Sequence, residues 1–393
     1  MNTVTPARTA LALLLLAGSL PSGCNRSTTT ATTTTTSGAA TTTTKGSASG
    51  GADSQRFPVN HDDWSRIGYR LDWVGFPFPG ATASSKVSFV KPSEDILVLL
   101  QNDSTLALLE TGSGRTRWAT QLAGPLTKFV SVDRSPGDTN HILVSSESEM
   151  FTVSAANGSL LARDRFARVV NTRPIFANTT AVFGTSTGEV MAHVLGRSGI
   201  KAWGFMSSGA IEADPVLCGG TMAFVSQRGD VMFFGMGGGL VGRAAIYQGL
   251  VNDPVADGDR LFIAGLDRSI WCFNTTGLEE WRVRTDAPLR LQPTAHNGTL
   301  WVSIPGGGLT ALDTATGKQR WANPNVQGTV IGTRSGRLLV RTENGLVTLN
   351  HADGSIVDRT TTPGITNIAV DKFEDGNLYA ISSQATVGRF IPR

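Results

Sequence analysis

Charge is scarce in this 393-residue chain, with Asp, Glu, Lys and Arg together only 17%, against about 25% in average proteins. The 34 basic and 31 acidic residues nearly cancel, to a formal +3. That balance excludes an evident nucleic-acid footprint, which would show as a basic excess. Cysteine is rare: Cys24, Cys218 and Cys272 are too few for a disulfide framework. Of long apolar runs there is one, Ala10 to Leu20, too short to span a bilayer as a helix. What the chain has in excess is glycine, 45 residues, together with 17 prolines. Both break helices, so long helices and coiled coils are excluded. The 40% of hydrophobic residues excludes wholesale disorder.

The N-terminus reads as an address. Arg8 supplies a positive start, the apolar run follows, and Ser22 and Gly23 precede Cys24. This order over residues 1–23 resembles a bacterial lipoprotein signal, which implies Cys24 as the lipidated N-terminus. Pro21 departs from that pattern, with Leu20 one place early. The alternative is an ordinary secretory peptide with Cys24 as a passenger. Both put the protein outside the cytoplasm, and the first anchors it by lipid alone, on the outer membrane by preference, with no transmembrane helix in the mature chain. Residues 24–56 read as a tether. Twelve Thr with Ser, Gly and Ala leave nothing larger than Ala to bury over 25–54. Such a chain spans roughly 30 Å end to end.

Residues 57–393 repeat. A Gly stands four residues before a Trp at Gly114/Trp118, Gly199/Trp203, Gly277/Trp281 and Gly317/Trp321. Copies without the Trp fall at Gly158, in the Gly239/Gly242 region, and at Gly354. Pro174, Pro215, Pro254 and Pro293 keep the same beat, and each opens a short apolar strand. Between the landmarks, β-rich runs alternate with Gly, Asn and Asp, as in antiparallel hairpins. Nothing longer than one helical turn is expected. A period near 40 is that of four-stranded propeller blades. Eight such units fill residues 57–393 at about 42 each, with seven as the fallback. The last unit lacks an outer strand. Ile67 to Trp73, with Trp73 at the Trp position, supplies one and closes the ring. The fold class is therefore all-β, a single propeller of four-stranded antiparallel blades. Cys218 and Cys272 fall on different blades as buried, unpaired thiols.

The copy Ala311-Leu312-Asp313-Thr314-Ala315-Thr316-Gly317-Lys318-Gln319-Arg320-Trp321 resembles the repeat of the PQQ-type, or quinoprotein-like, β-propellers. In that motif Asp313 and Thr316 can bond the turn, Gly317 supplies a positive φ, and Trp321 offers a flat surface for burial between blades. The resemblance brings in alcohol and sugar dehydrogenases that bind pyrroloquinoline quinone and Ca²⁺. The adjacent Cys-Cys pair that many of them carry is missing, as is any Cys-x-x-Cys-His motif. His61, His141, His193, His296 and His351 lie in separate repeats without metal-ligand spacing. We therefore expect no catalytic, metal or cofactor site and no quinone.

Signal, tether and minimal propeller together resemble the BamB-type lipoproteins of the outer-membrane barrel-assembly machinery. That resemblance implies a non-enzymatic periplasmic scaffold that binds a protein partner through loops on one face. A quinoprotein dehydrogenase and a ligand-binding or sensor propeller stay open as alternatives.

Overall fold

The structure is a computed structural model that describes residues 57–82 and 84–393. Cys24, the signal segment and the tether lie outside the described residues. What is described is an eight-bladed β-propeller, each blade a four-stranded antiparallel sheet. Blade 1 holds β2 to β5, Val87 to Gln121, and blade 2 holds β6 to β9, Phe129 to Arg165. Blade 3 holds β10 to β13, Ile175 to Met206, and blade 4 holds β14 to β17, Val216 to Ala245. Blade 5 holds β18 to β21, Val255 to Arg284, and blade 6 holds β22 to β25, Thr294 to Asn323. Blade 7 holds β26 to β29, Thr329 to Thr361. Blade 8 pairs β30 to β32, Ile365 to Pro392, with β1, Tyr69–Gly75. The first strands of neighbouring blades touch and form the inner wall. Central strands such as Ile96–Gln101, which is buried at every position, pack face to face between blades.

The N-terminal strand closes the ring. β1 runs antiparallel to β32, from Tyr69 opposite Pro392 to Gly75 opposite Val387. The expected bounds, 67–73, shift by two residues because Ile67 ends a helix instead. That helix, α1 at His61–Arg66, exceeds the single turn expected. Asn60 caps it by accepting the amides of Asp62 and Asp63, and Asp63 pairs with Arg66 at 2.7 Å. Its fully buried Trp64 stacks on Phe390 of β32 at 3.7 Å between ring centroids. Arg334 then binds the carbonyls of Gly68 and Arg393 and the carboxylate of Asp375. The lead-in to β1, Arg393 and blade 7 are thereby held together.

Cys218 on β14 (Val216–Cys218) and Cys272 on β20 (Ser269–Asn274) are free and buried, one in blade 4 and one in blade 5. Among the described residues no helix is long and apolar enough to cross a membrane.

Candidate docking face and its supports

The repeat residues sit at the joints between blades. Each Trp of an outer strand lies over the turn glycine of the next blade. Trp73 covers Gly114, Trp118 covers Gly158, Trp281 covers Gly317 and Trp321 covers Gly354. A Cβ on Gly317, at φ 69°, would come within 2.7 Å of Trp281. The indole N–H groups of Trp73, Trp118, Trp281 and Trp321 donate to the carbonyls of Thr111, Ala155, Thr314 and His351, at 2.8 to 3.1 Å. Each of those carbonyls belongs to the first residue of its turn. Trp203 covers Gly238 and stacks on Phe234 at 5.5 Å. The turn glycine of blade 4 is thus Gly238, neither Gly239 nor Gly242. The beat hides it because Gly242 stands in the Trp position, four residues on.

Three joints lack the Trp. At Gly242 the next turn comes in on the backbone itself, where a Cβ would lie 2.7 Å from the Thr275 carbonyl. At Ala162 the neighbouring turn is tied by hydrogen bonds, Gly199 N–H to the Arg165 carbonyl and Gly196 N–H to Asp164. Gly199 itself has open space above it. At Asp358 helix α1 takes the place of a turn, and Arg66 reaches Asp358 at 3.4 Å. Asp313 accepts from the Thr316 amide and hydroxyl and from Arg320. The Arg320 and Thr316 hydrogen bonds hold its carboxyl down at about 2.

The histidines stay apart. His193 is buried with neither ring nitrogen partnered, and burial lowers its basicity. His296 meets Glu374 at 3.1 Å. Among the described residues no cluster of three or more His, Cys, Asp or Glu is placed to hold a metal.

A second ring of contacts lies at the inner wall, and sequence reading missed it. The residue before Pro215, Pro254 and Pro293 passes its side chain to the blade before it, whereas Arg173, before Pro174, reaches forward to Asp214. Asp214 accepts the Arg173 amide at 2.8 Å, Asp253 accepts the Asp214 amide at 2.7 Å, and Gln292 accepts the Asp253 amide at 2.9 Å. Burial, together with nearby Asp253, raises the Asp214 carboxyl despite the amide it accepts and Arg173 beside it.

Above this ring, the loops entering blades 4, 5 and 6 (207–215, 246–254 and 285–293) share one face with the hairpin turns 226–229 and 265–268. They interlock. The Leu266 amide bonds the Gly249 carbonyl, the Leu289 amide bonds Gly265, and the Gln227 side chain bonds Leu250. Burial opposes the Asp230 charge at the root of the face. Bonds from the Ser208 hydroxyl and amide, Arg243 and Ser226 override it and set the carboxyl at about 2. On this frame one aromatic side chain stands exposed over a buried one. Tyr247 is 76% exposed and lies 5.7 Å from Trp271, while the Arg282 guanidinium lies over Trp271 at 4.6 Å and over Tyr247 at 5.7 Å. Asp267 fixes the Trp271 ring by accepting its N–H at 2.9 Å. Val251 and Leu291, on the loops entering blades 5 and 6, are exposed on the same face. An aromatic, a buried-edge Trp and an Arg held rigid among exposed aliphatics is the composition of a protein-binding hot spot. Tyr247, Trp271 and Arg282 carry no repeat signal, since each lies in a different element and only the fold assembles them.

The comparisons agree with this architecture. The family described as outer membrane protein assembly factor BamB matches over residues 102–246 and 237–390. A crystal structure of BamB from Moraxella catarrhalis superposes with a TM-score of 0.62 at 18% identity, covering 78% of this chain and 96% of that one. The computationally designed Ika8 protein superposes with a TM-score of 0.63 at 11% identity, covering 79% and 98%. These likenesses speak to the fold. No curated protein matches the chain. With the family match spanning most of its length, the chain belongs to the BamB outer-membrane protein assembly factor family.

Proposed function

We propose that this protein is a non-enzymatic scaffold of the bacterial envelope that docks another protein in outer-membrane protein assembly, through the loop face over blades 4 to 6. The observation that carries this reading is Tyr247, exposed over the buried Trp271 and the half-buried Arg282, on a face whose loops also expose Val251 and Leu291. An exposed apolar cluster on interlocked loops marks an interaction site. The family description supports the assembly role. Lipidation at Cys24, with the Thr-rich segment as spacer, would hold the propeller at the membrane.

Quinone chemistry does not fit the residues present. Cys218 and Cys272, the only thiols in the propeller, are buried in separate blades, and burial pushes both up to about 12. They form no adjacent pair of the kind that many quinone dehydrogenases carry over the cofactor.

The test is a photocrosslinking residue placed at Tyr247 in cells. Capture of outer-membrane assembly proteins there, and its loss when the residue is moved to the far face at Asn297, supports the reading. Equal capture at both sites refutes it. Cys24→Ala releases the protein from the membrane fraction if the anchor is lipid.

A further inference from the structure

We propose that the docking face recognises an acidic, extended polypeptide segment that carries a large apolar side chain. This rests on the docking reading above and names the chemistry of its partner.

The charges on the face are unequal. Arg228, Arg268, Arg284 and Arg290 are exposed and form no ion pair among the described residues. Arg282 meets aromatic rings and no carboxylate. Against these five, the loops expose only Glu212 and Asp286. The remaining carboxylates are committed within the fold: Asp214 and Asp253 to the inner ring, Asp230 to Ser208 and Arg243, Asp267 to Trp271. The chain as a whole is nearly neutral, so the basic excess is local. A local positive field on an interaction surface selects a negative partner and steers its approach.

Arg268 adds an independent observation. In blades 3 and 4 the last residue of this hairpin turn is Gly188 at φ 87° and Gly229 at φ 89°. Each carbonyl accepts the amide that opens the next loop, from Ser207 and Ile246. In blade 5 the same place, with the same hydrogen bond from Thr285, is taken by Arg268 at φ 60°. Glycine would fit this left-handed backbone without strain, whereas a side chain there is strained. The turn holds its Arg against the local preference, at the exposed rim of the face, one residue from Asp267, which accepts the Tyr247 amide. Strain kept at a surface position points to a role for the side chain.

Apolar recognition comes from the same residues. Arg guanidinium groups bind carboxylates in a planar, bidentate manner. Tyr247, Val251 and Leu291 expose apolar surface on the same loops, against which an aromatic or aliphatic side chain can pack. An extended segment alternates its side chains, so acidic residues can meet the arginines while apolar ones meet the seat.

The experiment uses the soluble, unlipidated chain and three fluorescein-labelled nine-residue peptides, read by fluorescence polarisation at low and high salt. One peptide alternates Glu with Phe and Leu, one has Lys for Glu, and one has Ser for the apolar residues. The first is expected to bind saturably, at least about tenfold more tightly than the other two, and to weaken with salt. Arg268→Glu/Arg290→Glu should weaken it about tenfold more. Arg268→Gly should weaken it while thermal stability holds or rises. Equal or tighter binding of the Lys peptide, or binding indifferent to the charge reversals, overturns the proposal. The crosslinking test at Tyr247 is read separately. Crosslinks on this face without acidic selectivity refute only the partner chemistry, whereas absence of face-specific crosslinks refutes the docking reading itself.

Discussion

The two halves of the ring solve the inner wall differently. In blades 3 to 6 each inner strand has three residues and follows a proline. In blades 7, 8, 1 and 2 each has six residues, no proline before it, and a bulge near its start. Proline has no N–H, so it ends the ladder where it stands. The residues thus withheld from the sheet lengthen the entering loops, which are nine residues each at 166–174, 207–215, 246–254 and 285–293. In the other half the entering loops range from three residues (362–364) to eleven (76–86). One half is a uniform rim that presents the docking face. The other is occupied by closure, with α1, β1 and the C-terminal strand.

If the closing half carries the stability and the proline half the recognition, mutations should separate them. Trp64→Ala removes a fully buried ring stacked on Phe390, and should cost about 3–5 kcal/mol in chemical denaturation. Tyr247→Ala, by contrast, should stay within about 0.5 kcal/mol while abolishing crosslinks from a photocrosslinking residue moved to Val251 on the same loop. A large loss from Tyr247→Ala would break the division. Next in size is a contrast between seams. Gly317→Ala forces a Cβ against Trp281 at positive φ and should cost about 3 kcal/mol, whereas Gly199→Ala, open above, should cost about 1 kcal/mol, both read from denaturation midpoints.

The smallest contrast is between two aspartates of the proline half. Asp230→Ala should lose about 2 kcal/mol at pH 7. The folded carboxyl of Asp230, at about 2, is below its unfolded value, so its stabilisation is complete above the unfolded value and disappears as pH falls through about 2. Asp214 is shifted the opposite way by burial. Asp214→Asn keeps an acceptor for the Arg173 amide and should stay within about 0.5 kcal/mol at pH 7. As the pH falls through the raised folded value, wild type should gain on the variant. Melting curves from pH 7 down to pH 2 decide both.

The blades were legible because their punctuation is local. A Gly before a Trp and a Pro before a strand are demands of single turns, and they recur with the period of the fold. The closing strand was legible for the same reason, through Trp73. Helix α1 was less so, although Asn60 followed by Asp63 is a capping pattern that could have been read. The docking face was not legible, since Tyr247, Trp271 and Arg282 come from a loop and two strands. Two of its supports left a signal that went unread. Asp214 and Asp253 stand directly before landmark prolines, and Arg268 follows Gly188 and Gly229 on the proline beat. An exception to a repeat is informative only once the repeat has been aligned turn by turn, and that alignment came with the structure.

The shared sheet of blade 8 has a consequence for how the molecule comes into being. Among the described strands β1 is the first to be synthesised, yet its only strand partner, β32, is the last. Until then, Tyr69–Gly75 is an unsatisfied edge waiting on a growing array, and its pairing carries the entropic cost of joining segments some 300 residues apart. The ring therefore cannot lock until β32 has been made. An incomplete chain is an open arc with a sticky end, and this is the period in which it is most exposed to chaperones, proteases and mispairing with a second copy.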